Sequence, residues 1–320
     1  MADSQYLLEV KNLCQHFTSG RGKKKITVKA VDDVSFGVRP AETFGLVGES
    51  GCGKTTTGRT IIRLYDPTSG EVYFNGREIS GKMTNELRKY LTDNIAMIFQ
   101  DPIESLNPKM TIEEIVGEGL EVRGLKDKTE MRRQVVEMLN KVGLTDEHAT
   151  RYPHEFSGGQ RQRIGIARAI IVKPKMIIAD EPVSALDVSI QAQVINLLND
   201  LKEEIGLTIV FIAHNLSVVK YFSDRIGVMY YGQLVEVAKG DDLYKKPLHP
   251  YTRALLSAIP EPNPLTEKTR VRIDYDPKRD HDYSVEKPTM VEIEPEHFVY
   301  CSPSELEQYK KIIAETKDDE

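Results

Sequence analysis

The sequence predicts an α/β fold built on a parallel sheet with helices on both faces, and three observations carry that prediction. Two continuous apolar runs, 176-MIIA-179 and 208-TIVFIA-213, flank a helical segment, 190-IQAQVINLLNDLKEEIG-206. Strands that are apolar on both faces belong to parallel sheets buried between helices. A third apolar run, 43-TFGLV-47, leads straight into a glycine-rich loop and a helical stretch.

The elements follow in chain order. Short β-rich segments open the chain at 6-YLLEV-10, 34-VSFGV-38, 43-TFGLV-47 and 71-EVYFNG-76, the last with alternating character. The run 21-RGKKK-25 reads as a solvated hairpin loop rather than a contact for anionic lipid. Residues 54–64 read as a helix that begins inside the glycine-rich loop, and 95-IAMIF-99 reads as a buried strand. From about 110 to 145 the pattern is helical, clearest in 128-KTEMRRQVVEMLNKVGL-144, with Gly143 as a stop. Ser157 opens another helix, 157-SGGQRQRIGIARAIIV-172. Past about 240 the composition shifts: 247-PLHPYTRALLSAIPEPNP-264 carries one short helix between prolines, and 265–320 reads as a polar, irregular appendage.

Composition narrows the function. The 320 residues are 40% hydrophobic and 29% charged, ordinary values for a globular protein. The net charge of −6 gives no basic field, so nucleic acid is not an expected partner. Three scattered cysteines, Cys14, Cys52 and Cys301, form no C-x-x-C pair and fit a reducing compartment. The opening 1-MADSQYLLEVKNL-13 does not read as a signal peptide, and the longest apolar runs are too short to cross a bilayer. Membrane association is therefore expected to be peripheral or through a partner.

The loop 48-GESGCGKTTT-57 satisfies G-x-x-x-x-G-K-[ST] with Gly48, Gly53, Lys54 and Thr55, and Gly51 is extra. A preceding strand and a following helix are the context that confirms this pattern as a phosphate loop. Glycines let backbone N–H groups turn toward an anion, and the helix adds the positive end of its dipole. Glu49, Ser50, Cys52 and Thr56 are the other loop residues expected to contact the nucleotide. Lys54 places a charge between the β- and γ-phosphates, and Thr55 offers a hydroxyl to Mg²⁺. Cys52 is expected to be alkylated without nucleotide and protected by it. The alternative, a glycine turn with no ligand, does not fit this context.

The segment 175-KMIIADEP-182 ends an apolar strand on two acids. Ligands gather at the carboxyl ends of parallel strands. Asp180 is therefore placed for the Mg²⁺ shell, and Glu181 to polarise a water for attack on the γ-phosphate. Taken alone, the pair would read as a solvated loop. Paired with the phosphate loop it reads as catalytic, and the chain as an enzyme.

The stretch 156-FSGGQRQRIGIARAI-170 resembles the signature motif of ATP-binding cassette (ABC) ATPases, with Phe156 where Leu is common. Gln100 after its strand, 184-SALD-187 and His214 complete the cassette pattern over roughly residues 6–240. The implied fold is a P-loop NTPase cassette with a RecA-like core, an antiparallel β subdomain, an α-helical subdomain at about 101–165 and a C-terminal extension. The implied domains are 1–240 and 241–320. The resemblance implies a head-to-tail dimer in which Ser157, Gly158, Gly159 and Gln160 face the partner's ATP. An anion-binding helix start beside Arg161 and Arg163 agrees, because a bare helix start leaves Gln160 and these arginines without a role. By the family's pattern Gln100 contacts Mg²⁺ and the attacking water, His214 steadies the γ-phosphate and Asp187 lies at the dimer seam. Phe17 is the expected adenine-stacking aromatic, with His16 the rival and a core role for Phe17 the alternative.

Two further stretches narrow the resemblance. The segment 244-YKKPLHPYTRALLSAIPEPNP-264 resembles the C-terminal extension of oligopeptide, dipeptide and nickel importer ATPases. The segments 102-PIESLNPKMTI-112 and 295-PEHFVYCSPSELEQY-309 most resemble F-type subunits of oligopeptide permeases. Such a subunit implies a D-type sister ATPase as heterodimer partner, two transmembrane permease subunits and, indirectly, an extracellular peptide-binding protein. Its place would be the cytoplasmic face of the membrane, and its region 101–120 would meet a short helix of the permease. Some relatives carry several cysteines in this tail, enough to hold an iron–sulfur cluster. Cys301 stands alone here, so none is expected. A soluble cassette protein of DNA repair or translation, and a nucleotide-gated module without turnover, are the rival readings. The acidic charge opposes the first and Glu181 the second.

Overall fold

The structure, a computed structural model, describes residues 5–20, 25–259, 271–281 and 283–318. The loop reading at 21–24 and the proline-rich 260–264 fall outside those residues. The chain divides into two compact units, one of Met1–Leu8, Val38–Glu42 and Phe74–Ile212, the other of Glu9–Gly37, Thr43–Tyr73 and Ala213–Glu320.

The first unit contains the predicted parallel strands. β6 (Ile95–Ile98), β7 (Met176–Asp180) and β8 (Thr208–Ala213) run parallel, with Ile95 opposite Met176 and Met176 opposite Thr208. Every residue of β7 and β8 is buried, which is why both read as unbroken apolar runs. The helices start where side-chain caps satisfy the first N–H groups. Thr84 caps α2 (Asn85–Asn94), Thr111 caps α4 (Ile112–Val122) in a capping box with Glu114, and Asp127 caps α5 (Lys128–Lys141). Gly143, at φ +75°, follows the end of α5. Gly206 ends α7 (Val188–Ile205) in the left-handed conformation.

The second unit carries two sheets' worth of strands. β2 (Ile26–Val38), β1 (Leu8–Ser19) and β4 (Ser69–Phe74) lie side by side in that order. β1 and β2 are far longer than the short segments expected, because polar residues on their outer faces interrupt the apolar pattern. In the other sheet β3 (Thr43–Val47) pairs in parallel with β9 (Arg225–Tyr230). β10 (Gln233–Lys239) then pairs antiparallel with β9 and β12 (His297–Cys301), and β12 with β11 (Thr289–Glu294). The helix expected over 54–64 is shorter: α1 spans Lys54–Ile61, and Arg63 takes φ +63° just beyond it.

The irregular appendage expected beyond 265 is corrected by this arrangement. β11, β12 and α12 (Pro303–Asp318) form a folded unit around a core of Leu248, Val299, Cys301, Tyr309 and Ile313. The buried face of β12 consists of His297, Val299 and Cys301, a set that does not read as an apolar stripe. The helix predicted between prolines is α10 (Pro250–Ser257), whose N-cap is His249: its Nδ1 accepts from the Tyr251 amide. Burial lowers the His249 pKa to about 3, with His281 and Arg253 acting the same way, so the ring is neutral and free to accept. Glu236, fully buried on β10, accepts from the Leu248 amide at 2.9 Å, the His249 amide at 3.0 Å and His297 Nε2 at 2.8 Å.

Candidate functional site

In the second unit the glycine loop leaves buried β3 and enters α1. Two of its glycines are required by geometry. Gly48 sits at φ +150°, and a Cβ there would lie 2.2 Å from the Met229 carbonyl oxygen. Gly53 sits at φ +109°, and a Cβ there would lie 2.1 Å from the Ala30 carbonyl oxygen. Gly53 is also the N-cap of α1 and, having no side chain, gives the first turn of the helix no side-chain cap. That is the cradle an anion fits. Lys54 is 4% exposed, and its ammonium donates to Gly48 O at 2.7 Å and Glu49 O at 2.8 Å. The lysine charge is thus held in the loop itself. Glu49, Ser50 and Gly51 are exposed, and Thr55 and Thr56 are half-buried.

Cys52 is buried, and desolvation keeps its thiol above the ordinary pKa of 9.0 although the Lys54 charge pulls the other way. Its expected alkylation is therefore sharpened. In nucleotide-free protein the rate is expected to be low near pH 7 and to climb as pH rises beyond 9, with ATP suppressing it. Iodoacetamide labelling across pH, read at Cys52 by peptide mass, checks this. A fast rate at pH 7 that ATP does not alter would refute it.

Phe17 is 40% exposed on β1 and meets Tyr65 edge-on, ring centroids 5.3 Å apart, so it is not a core residue. His16 is engaged elsewhere, its Nε2 lying 3.1 Å from Asp32 Oδ1. His214 is exposed directly after β8. The next residue, Asn215, caps α8 (Leu216–Phe222) by accepting from the Ser217 amide.

In the first unit Asp180 ends β7 with no exposed surface. Glu181 follows at φ +46°, an unfavourable conformation for glutamate of the kind concentrated at functional sites. Its amide donates to Ile212 O at 2.9 Å. The sequence did not foretell one contact: Gln100 Nε2 donates to Glu181 Oε2 at 3.2 Å. Two residues 81 apart in the chain, assigned separate roles, touch. The Asp180 carboxylate and the Gln100 amide oxygen are hard oxygen donors, as is the Thr55 hydroxyl of the second unit, and each is of the kind that magnesium takes.

Ser157 caps α6 (Gly158–Ile170) in a capping box: its hydroxyl accepts from the Gln160 amide, and Gln160 Oε1 accepts from the Ser157 amide at 3.0 Å. Gly159 packs so tightly that a Cβ would lie 2.7 Å from Ile190 Cγ2. Arg161 donates to Phe156 O, and Arg163 to Val142 O and Gln193. This corrects one step of the sequence argument. Gln160, Arg161 and Arg163 do have structural roles in a single chain, so their presence does not by itself demand a second anion. Phe156 is buried against His148, which shows how an aromatic fills the position usually held by leucine. Asp187 is the exposed N-cap of α7, without a side-chain cap bond.

The same unit contains a groove of about 910 Å³ whose lining includes Arg88, Met97, Glu118, Val122, Arg123 and Arg168. Val122 is 76% exposed there, and the Arg123 guanidinium is fixed by the carbonyls of Thr92, Asp93 and Val172. Sequence reading pointed to 101–120 but not to this groove, since its residues come from three separated segments. Among the described residues, no helix is long and apolar enough to cross a membrane.

Known proteins resemble the chain in sequence and in fold. Residues 31–184 match the family model described as ABC transporter, and residues 235–283 match that described as oligopeptide/dipeptide transporter, C-terminal region. The chain is 57% identical over 307 residues to the oligopeptide transport ATP-binding protein OppF of Bacillus subtilis, covering 96% of this chain and 99% of that one. It is 52% identical to the dipeptide transport ATP-binding protein DppF of Lactococcus lactis, covering 97% and 99%. A solved dimeric ATP-binding cassette in a post-hydrolysis state, bound to ADP and Pi, is 32% identical with a TM-score of 0.65, covering 72% of this chain and 98% of that one.

Proposed function

The chain belongs to the ATP-binding subunits of ABC transporters for oligopeptides and dipeptides, and from that premise we propose that it hydrolyses ATP to power oligopeptide import. The proposed partner is a D-type sister ATPase, joined head to tail so that each ATP lies between one subunit's phosphate loop and the other's signature. In this reading Gly48–Thr56 and Lys54 hold the phosphates, and Phe17 stacks on adenine. Thr55, Asp180 and Gln100 supply oxygen donors to Mg²⁺, which when bound neutralises phosphate charge. Glu181 takes the proton of the attacking water, and His214 hydrogen-bonds the γ-phosphate. Ser157–Gln160 serve the partner's nucleotide, and Asp187 lies at the seam.

The observation that carries the coupling is the Gln100–Glu181 hydrogen bond. It joins the water-activating carboxylate to the residue that opens the helical stretch 101–122. The groove beside α4 (Ile112–Val122) has an exposed apolar residue and fixed arginines, features suited to a short amphipathic helix of a permease subunit. Closure of the ATPase pair would then turn the permease outward to take peptide from an extracellular binding protein, and hydrolysis would reset it. The chain would sit at the cytoplasmic face, held by its two permease partners, with no contact to cargo or nucleic acid.

The test is uptake in the source cell by a Lys54→Ala chromosomal variant, using labelled oligopeptides, dipeptides and nickel ion side by side. Loss of oligopeptide uptake is expected. Loss of only dipeptide or nickel uptake would reassign the cargo and keep the ATPase. Unchanged uptake of all three would overturn the transport reading.

A further inference from the structure

We infer that Tyr251, in the C-terminal extension, is a positioning residue for Lys54, acting through a single peptide plane of the phosphate loop. The inference rests on the proposed role of Lys54 at the ATP phosphates. The peptide in question joins Gly48 to Glu49. Its carbonyl oxygen accepts from the Lys54 ammonium at 2.7 Å, and its amide N–H donates to the Tyr251 hydroxyl oxygen at 3.1 Å. One amide thus has the tyrosine at one end and the lysine at the other. Hydrogen bonds in such a chain polarise one another, and an acceptor at the N–H sharpens the carbonyl as an acceptor.

The rest of the loop does not supply this restraint. Glu49 is exposed, and its carbonyl is already taken by Lys54 at 2.8 Å. Tyr251, by contrast, is 3% exposed and fixed on several sides. Its ring lies 4.4 Å from that of Tyr230 and 5.6 Å from that of Tyr275, and its amide is held by His249. His249 is in turn anchored on buried Glu236, which also takes His297 from β12. A continuous line of contacts therefore runs from the tail hairpin to the lysine. The extension builds part of the nucleotide loop's support.

The experiment is steady-state ATPase activity of the assembled transporter carrying Tyr251→Phe, which removes the hydroxyl and keeps the ring. Loss of one hydrogen bond is expected to raise KM for MgATP about three- to tenfold, with kcat within about twofold of wild type. Tyr230→Phe removes a hydroxyl from the same cluster without touching the Gly48–Glu49 peptide, and is expected to leave KM unchanged. A Lys54→Ala chain, assayed for binding of a fluorescent ATP analogue, separates the two levels of argument. If it loses binding while Tyr251→Phe keeps a wild-type KM, the inference about Tyr251 is overturned and the loop reading stands. If Lys54→Ala binds normally, the loop reading and the inference fall together.

Discussion

Replacing Glu181 with glutamine is expected to lower ATP turnover by about 10²–10⁴-fold, the range for loss of a general base, while ATP binding persists. The substitution is nearly isosteric, and its amide oxygen still offers Gln100 an acceptor, so the contact to Gln100 Nε2 survives. The backbone at φ +46° asks no more of glutamine than of glutamate. What disappears is the carboxylate that accepts a proton from water. If hydrolysis is the step that reopens the ATPase pair, the variant should also accumulate as an ATP-bound dimer with its sister subunit, visible by sedimentation. Magnesium-dependent phosphate release from the assembled transporter is the deciding assay. Turnover within a few-fold of wild type would remove Glu181 from the catalytic role and favour a different base.

The parts of this protein that were legible in the sequence share a physical cause. β7 and β8 are buried on both faces, so their apolar character is unbroken and the parallel sheet follows. The loop at 48–57 was legible because its glycines answer to geometry: Gly48 and Gly53 stand where a side chain would strike the backbone of Met229 and Ala30. The signature was legible as a motif, but the inference drawn from its spare polar residues was not sound. Gln160, Arg161 and Arg163 are all bonded within the chain.

The illegible parts depended on contacts between distant segments. No local pattern announces that Gln100 will meet Glu181, or that Tyr251 will meet the amide of Glu49. The tail misled for another reason. A strand whose buried face is His297, Val299 and Cys301 has almost no apolar contrast with its exposed face. Its fold is set by a buried carboxylate 61 residues upstream of His297, which sequence pattern cannot see.

That carboxylate carries the second large prediction. Glu236→Ala would leave three buried donors, the amides of Leu248 and His249 and His297 Nε2, without their acceptor. Each such donor costs about 1–3 kcal/mol, so a loss of about 3 kcal/mol or more is expected. The loss should be local before it is global, because these donors tie β12 and the start of α10 to β10. Hydrogen exchange should therefore accelerate first in β12 and α10, while β7 and β8 stay protected. Glu236→Gln keeps one acceptor oxygen, so its effect should be smaller than that of alanine. Uniform loss of protection along the chain would mean that the extension does not unfold separately. Retained protection in β12 and α10 of the alanine variant would show that the buried carboxylate does not hold the extension in place. In that second outcome the line of contacts from the tail to Tyr251 would lose its anchor, and the tyrosine's hold on the phosphate loop would have to come from its aromatic neighbours alone.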